Sequence, residues 1–159
     1  MVDNNIRFDY KISKQEADKL IEEFSAFCYK FTICGSVRRQ KSTNGDIDVV
    51  AVISDKRGFN KKAKELGNII VLPTMAIGRT KVGIKFTIYF AEKKNYGSMV
   101  WYFTGSNESN DRIRNKSASA GMIINQFGLW KDGKCIASKN EEDIFNRLGI
   151  DWIDPVNRI

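Results

Sequence analysis

Apolar residues along this chain recur with two periods, and the switches between them mark out the elements. Ala17, Leu20, Ile21, Phe24 and Cys28 stand at helical spacing behind a Ser13–Glu16 capping-box pattern. That predicts a helix over residues 14–28 with one face on a sheet. Residues 1–10 are polar and read as an extended lead-in, 30–34 as a short strand, and 40–45 as a loop or short helix. Residues 46–53, DIDVVAVI, read as the central strand, with Ile47, Val49 and Ala51 turned toward a core. A basic helix follows over 56–66, then strands over 68–72, ended by Pro73, and over 75–78. In residues 81–90, Val82, Ile84, Phe86, Ile88 and Phe90 alternate with Gly83, Lys85, Thr87 and Tyr89, the pattern of a half-buried strand with one polar face. Helices are expected over 95–103 and 107–120, the second stopped by Gly121. Residues 123–129 and 134–138 flank a hairpin turn at Lys131-Asp132-Gly133, and a last helix over 141–148 closes on Gly149. The order predicts an α+β fold: a mixed sheet with helices over residues 1–101, then a small α+β unit over 102–159.

The chemistry concentrates in residues 34–51, CGSVRRQKSTNGDIDVVA. Period two puts Asp46 and Asp48 on one face of their strand, where two close carboxylates repel unless something positive lies between them. Paired carboxylates with few other protein ligands suit magnesium bridging to substrate phosphates. Gly35-Ser36 stands where the preceding strand should turn, so its backbone N–H groups and the Ser36 hydroxyl suit phosphate oxygens. Arg38 or Arg39 adds a charge-assisted fork to the same phosphates. Two acids alone would read as an ordinary exposed strand face; GS, RR and GDID in order on one short segment favour a metal-dependent nucleotidyl-transfer site.

Composition narrows this further. The chain has 159 residues and a formal net charge of +7, which suits a polyanionic partner. It has no histidine, so a general base must be a carboxylate, a lysine or water. Cys28, Cys34 and Cys135 lack CxxC spacing and read as free thiols in a reducing compartment. No apolar run is long enough to span a bilayer, and a cytoplasmic or nucleoid-associated location is expected. Lys56, Arg57, Lys61, Lys62 and Lys64 on the 56–66 helix allow two readings, a solvated face or a phosphate-contacting one.

The segment GSVRRQKSTNGDIDVV resembles the palm signature of X-family DNA polymerases, and Tyr102-Phe103-Thr104-Gly105-Ser106 is similar to the YFTGS motif of the same family, with Asn110 and Arg114 at the family's spacing behind it. The resemblance implies a palm followed by a thumb-like subdomain, in a minimal form without the N-terminal lyase domain and so without lyase activity. It implies that Asp46 and Asp48 ligate two magnesium ions, with manganese as an alternative; one ion positions the triphosphate and the other lowers the pKa of the primer 3′-hydroxyl. It implies that Ser36 and Arg39 hold the β- and γ-phosphates, with Gly35 and the backbone near Gly45 assisting. Tyr102 and Phe103 would pack against the sugar, Gly105 would belong to the same nucleotide-binding set, Asn110 would bond the minor-groove edge of the incoming base, Arg114 would touch the template, and Lys85 would lie near the primer end. For Tyr102 and Phe103 plain core packing, and for Arg114 a solvated helix face, remain alternatives.

One departure from the family stands out. Its third aspartate falls, by the family spacing, on Thr87, and the alternation puts Thr87 on the polar face of its strand with Lys85 and Tyr89, neither of them acidic. A threonine hydroxyl supplies no charge and is a poor base, so the nucleophile-activating ion should bind weakly; Glu92 and Asp111 are the candidate replacements. The expected function is addition of deoxynucleotides from dNTPs to a primer 3′ end on primer-template or gapped DNA, by a monomer, in short-gap repair. The alternatives are a nucleotidyltransferase acting on RNA or a small molecule, and a catalytically weak DNA-binding protein on the same scaffold.

Overall fold

The computed structural model describes residues 6–159. Strand β1 (Phe8–Asp9) pairs with β3 (Thr43–Asn44), and helix α1 (Tyr10–Phe24) follows β1 directly. Strand β2 (Cys28–Ile33) leads through helix α2 (Gly35–Arg38) and β3 to β4 (Asp46–Ile53), and helix α3 (Lys56–Leu66) follows. Strands β5 (Ile69–Val71), β6 (Met75–Arg79) and β7 (Lys85–Phe90) complete a five-stranded sheet of order β2-β4-β7-β6-β5. Only β4 and β7 run parallel in it; the other pairings are antiparallel. Helices α4 (Tyr96–Thr104) and α5 (Asn107–Ser119) lead to a meander of β8 (Ile123–Asn125), β9 (Gly128–Lys131) and β10 (Lys134–Ala137), and helix α6 (Glu141–Leu148) closes the second unit. The mixed sheet with its helices is the α+β architecture that the order of elements predicts.

Helices α1 and α3 cover one face of the sheet, where Ala17, Leu20, Phe24, Phe59 and Ala63 meet Ile47, Val49, Ala51, Ile84, Phe86 and Ile88. Helix α4 covers the other face, packing Met99 and Val100 on Val50, Val52 and Cys34. Strand β4 is therefore apolar on both faces along its second half, each buried Val or Ile contributing about 1.5–3 kcal/mol. Its first half escapes the cover of α4, and there the same face carries Asp46 and Asp48. The second unit has its own core of Trp101, Ile113, Ile124, Leu129, Ile144, Phe145 and Leu148. A division placed at residue 102 falls inside α4, whose residues serve both cores.

Several predicted boundaries move. Helix α1 starts at Tyr10 because Asp9 caps it, accepting from Lys11 N–H at 2.8 Å. The Ser13–Glu16 capping box does not form: Ser13 lies buried within the helix without a hydrogen-bond partner, and Glu16 pairs with Lys19. Cys28 opens β2 instead of closing α1. Residues 40–45, expected as loop or helix, include β3 because Phe8–Asp9 supplies a partner strand. The 81–90 strand begins only at Lys85, after a turn closed by Thr80 and Gly83, and Val82 is exposed outside the core. Residues 123–129 break into two strands that turn back on each other between Asn125 and Gly128. The turn at Asp132-Gly133 is as expected: both residues have positive φ, 48° and 74°, the conformation that suits a two-residue hairpin.

Candidate active site

A cleft of about 810 Å³ opens where α4 leaves the β4 end of the sheet uncovered. Gly35 and Ser36 stand on one wall, Asp46, Asp48 and Lys85 on the sheet, and Tyr102, Phe103 and Gly105 across from them; Gly45 and Arg39 also line it. Ten of the twelve site residues expected from the sequence thus share one cavity. Asn110 and Arg114 do not line it. Asn110 is 4% exposed, and its amide donates to the Tyr102 carbonyl at 2.8 Å, which braces the α4–α5 junction. Arg114 pairs with Asp111 at 2.6 Å and lies over the Tyr102 ring, 5.6 Å from its centre.

Local backbone explains how the carboxylates and the turn meet. Gly35 has φ +60°, and a Cβ there would collide with Oδ2 of Asp48. Only glycine gives both that conformation and that approach. Cys34 N–H donates to the Asp48 carbonyl at 2.7 Å, which pins the turn to β4. Burial, and next the charge of Asp46, push the Asp48 carboxyl up to about 7; a hydrogen bond from Tyr89 and the charges of Arg39 and Lys85 pull the other way. Two acids held so close fit a divalent cation that takes its remaining ligands from substrate and water. Among the described residues no cluster of three or more acidic, histidine or cysteine side chains completes such a site.

The third acid is absent where it was sought. Thr87 is the parallel partner of Asp48 in the β4–β7 pairing. Neither proposed replacement reaches the cleft: Glu92 pairs with Lys94 at 3.0 Å and Asp111 with Arg114. Glu108, at the start of α5, does line it, as do Arg7, Arg79 and Tyr89. Sequence reading placed Tyr89 on the polar face of its strand without a role, and missed the other three. Arg7 and Arg79 stand outside any motif, although Arg79 ends a strand whose register with Lys85 puts both on the cleft side.

The two arginines of the RR pair diverge. Arg39 donates to the Thr104 carbonyl, and its charge faces Asp48 and Glu108. Its Nε is buried without a partner. Arg38 turns away from the cleft, donating to Thr104 Oγ1 and to Glu141 Oε2, each at 2.7 Å. Glu141 also accepts from Arg158 at 2.7 Å, so one buried carboxylate joins α2, α6 and the 153–159 segment. The 56–66 helix lies behind the sheet, and none of its residues lines the cleft.

Comparison with known proteins agrees with this layout. Residues 8–81 match the family model of the DNA polymerase beta palm and residues 99–159 that of the DNA polymerase beta thumb. The DNA polymerase/3'-5' exonuclease PolX of Bacillus subtilis is 24% identical over 161 residues, covering 94% of this chain and 28% of its own length. DNA polymerase lambda of Arabidopsis thaliana is 25% identical over 167 residues, covering 79% of this chain and 31% of its own length. The chain therefore spans under a third of these curated relatives. The crystal structure of Leishmania infantum polymerase beta in a ternary complex superposes with a TM-score of 0.81 over 99% of this chain and 78% of that one, at 21% identity, and so shares the fold. With palm and thumb matched in order along most of its length and the same fold in a solved polymerase beta, the chain belongs to the X family of DNA polymerases.

Proposed function

We propose that this protein is a metal-dependent DNA polymerase that adds a deoxynucleotide from a dNTP to a primer 3′ end at short gaps, acting as a monomer. The observation that carries the reading is the pair Asp46 and Asp48 on one face of β4, opening onto a cleft walled by Gly35, Ser36 and Arg39 on one side and Tyr102 and Phe103 on the other. Asp46 and Asp48 would hold magnesium or manganese, which when bound neutralises the triphosphate and lowers the pKa of the primer 3′-hydroxyl. Ser36 and the Gly35 backbone bind phosphate oxygens, and Arg39, anchored on Thr104, turns its free donors to the same group. Tyr102 and Phe103 orient the sugar, and Lys85 holds the primer end. Residues 1–101 act as palm and 102–159 as thumb.

Primer extension on a one-nucleotide gap, run with magnesium and with manganese, tests this. Single-nucleotide addition that requires either metal and fails for Asp46→Asn/Asp48→Asn supports it; binding without extension in either metal would favour a DNA-binding role. That second reading has its own support, because Thr87 stands beside Asp48 where a third acid was expected.

The described residues include no helix long and apolar enough to cross a membrane.

A further inference from the structure

Tyr89 lines the cleft and takes no part in the chemistry assigned to the other cleft residues. Its ring lies flat on that of Phe103, centroids 3.6 Å apart and planes at 15°. Phe103 in turn meets Tyr102 edge to face, centroids 5.1 Å apart and planes at 76°. The three rings form one row from β7 to the end of α4, and all three line the cleft. The two ends of the row are supported differently. Phe103 stands in the last turn of α4, beside the Gly105 cap with its φ of +65°. Tyr89 stands on an inner strand, hydrogen-bonded to β4 on one side and to β6 on the other. We propose that Tyr89 is a positioning residue for Phe103: its ring backs the aromatic wall where that wall meets the sugar of the incoming nucleotide, and so sets the selection of deoxyribose over ribose.

The two sugars differ by one hydroxyl, and a phenyl ring has no atom that reads it by a strong hydrogen bond. Selection by such a wall is therefore a matter of space, and it holds only while the ring cannot retreat. Apolar pockets discriminate differences of one small group by roughly 10–200-fold. The Tyr89 ring fills the space behind one face of Phe103, and close packing on that face denies it room to turn away. Because Tyr89 occupies that face, the contact with Tyr102 restrains the ring from another direction. Only the ring of Tyr89 is needed for this backing. A phenyl serves as well as a phenol, whereas a leucine, shorter and not planar, leaves a gap into which Phe103 can move.

The inference rests on the polymerase reading, and the experiment separates the two. Single-nucleotide addition at a one-nucleotide gap is measured with a dNTP and with the matching rNTP, well below every thermal midpoint. The proteins are the wild type, Tyr89→Phe, Tyr89→Leu, Tyr89→Met and Phe103→Leu; Tyr89→Met fills the space without a ring and serves if Tyr89→Leu does not fold. The readout is kcat/KM for the dNTP divided by that for the rNTP. Tyr89→Leu and Tyr89→Met should lower this ratio by about 10-fold or more, and Phe103→Leu by the same order. Tyr89→Phe should keep the wild-type ratio. A merely structural role would lower addition of both nucleotides together, so an unchanged ratio in the ringless Tyr89 variants overturns the role of Tyr89. A ratio in Tyr89→Phe as low as in Tyr89→Leu overturns it too, because the ring would then not be what matters. Equal use of both nucleotides by the wild type, or a wild-type ratio in Phe103→Leu, overturns the sugar wall and this role with it, while leaving the polymerase reading in place. No addition of either nucleotide by the wild type overturns the polymerase reading itself.

Discussion

Asp48 and Thr87 are direct partners in the parallel pairing of β4 and β7, so a threonine stands beside the cleft carboxylate of the neighbouring strand. Thr87→Asp would put a third carboxylate beside Asp46 and Asp48. A positioned general base typically contributes about 10²–10⁴-fold, and the single-turnover rate in magnesium should rise by that order. The same variant should melt earlier than wild type in chelator, because three acids would then share one site, and should recover on adding manganese. A lower single-turnover rate would mean that the site is built around threonine.

The acid pair makes a pH-dependent prediction for metal-free protein. The folded-state pKa of Asp48 is raised from the ordinary carboxylate value to about 7, so ionising it costs native stability. Stability should therefore be lowest above pH 7 and should increase as pH falls from 7 toward the unfolded pKa near 4. Asp48→Asn should flatten that rise in thermal midpoint while reducing nucleotide incorporation to background. A wild-type midpoint that falls over the same window would contradict the buried, Asp46-facing environment of this carboxyl.

In the Arg38–Glu141–Arg158 network Glu141 and Arg158 are buried, 7% and 1% exposed, and Arg38 is partly buried. Removing one partner of such a group strands a charge, which typically costs about 3–5 kcal/mol. Glu141→Leu should show a loss of that order in denaturant unfolding. Lys14→Ala, which breaks an exposed pair with Asp18, should cost no more than about 0.5 kcal/mol.

How much of this was legible in the sequence depended on how local the signal was. The face shared by Asp46 and Asp48 follows from period two alone, and the register that sets Thr87 opposite Asp48 agreed with the alternation of residues 84–90. The cap of α1 was misread because Asp9 competes with Ser13, and only the pairing of Phe8–Asp9 with Thr43–Asn44 decides between them. The division of labour between Arg38 and Arg39 was illegible for the same reason: Glu141, which claims Arg38, is 103 residues away. Asn110 matched a family spacing, yet its amide is taken by the backbone of Tyr102.

The position of α3 behind the sheet separates two sources of positive charge. If DNA enters the cleft, Lys85→Ala should reduce the slope of log affinity against log salt by about 1. Lys61→Ala/Lys64→Ala, on the far face, should leave that slope unchanged. A reversed result would make the back of the sheet the nucleic-acid face.

Gly35 tests whether the turn and the acid are matched in space. Its φ of +60° disfavours any L side chain, and a Cβ would strike Oδ2 of Asp48. Gly121 has nearly the same φ, +68°, with nothing within 4 Å of an added Cβ. The two glycines therefore share the conformational penalty, on the order of 1–2 kcal/mol for a left-handed residue, but only Gly35 adds a collision with a site carboxylate. Gly121→Ala should lower the thermal midpoint and leave incorporation intact. Gly35→Ala should lower the midpoint by a similar or larger amount and also displace Asp48, and displacing a site group by about 1 Å can cost on the order of 10²-fold in rate. Rates measured well below both midpoints keep folding out of the comparison. Equal activity of the two variants would show that Asp48 tolerates the displacement, and that the approach of α2 to β4 serves packing alone.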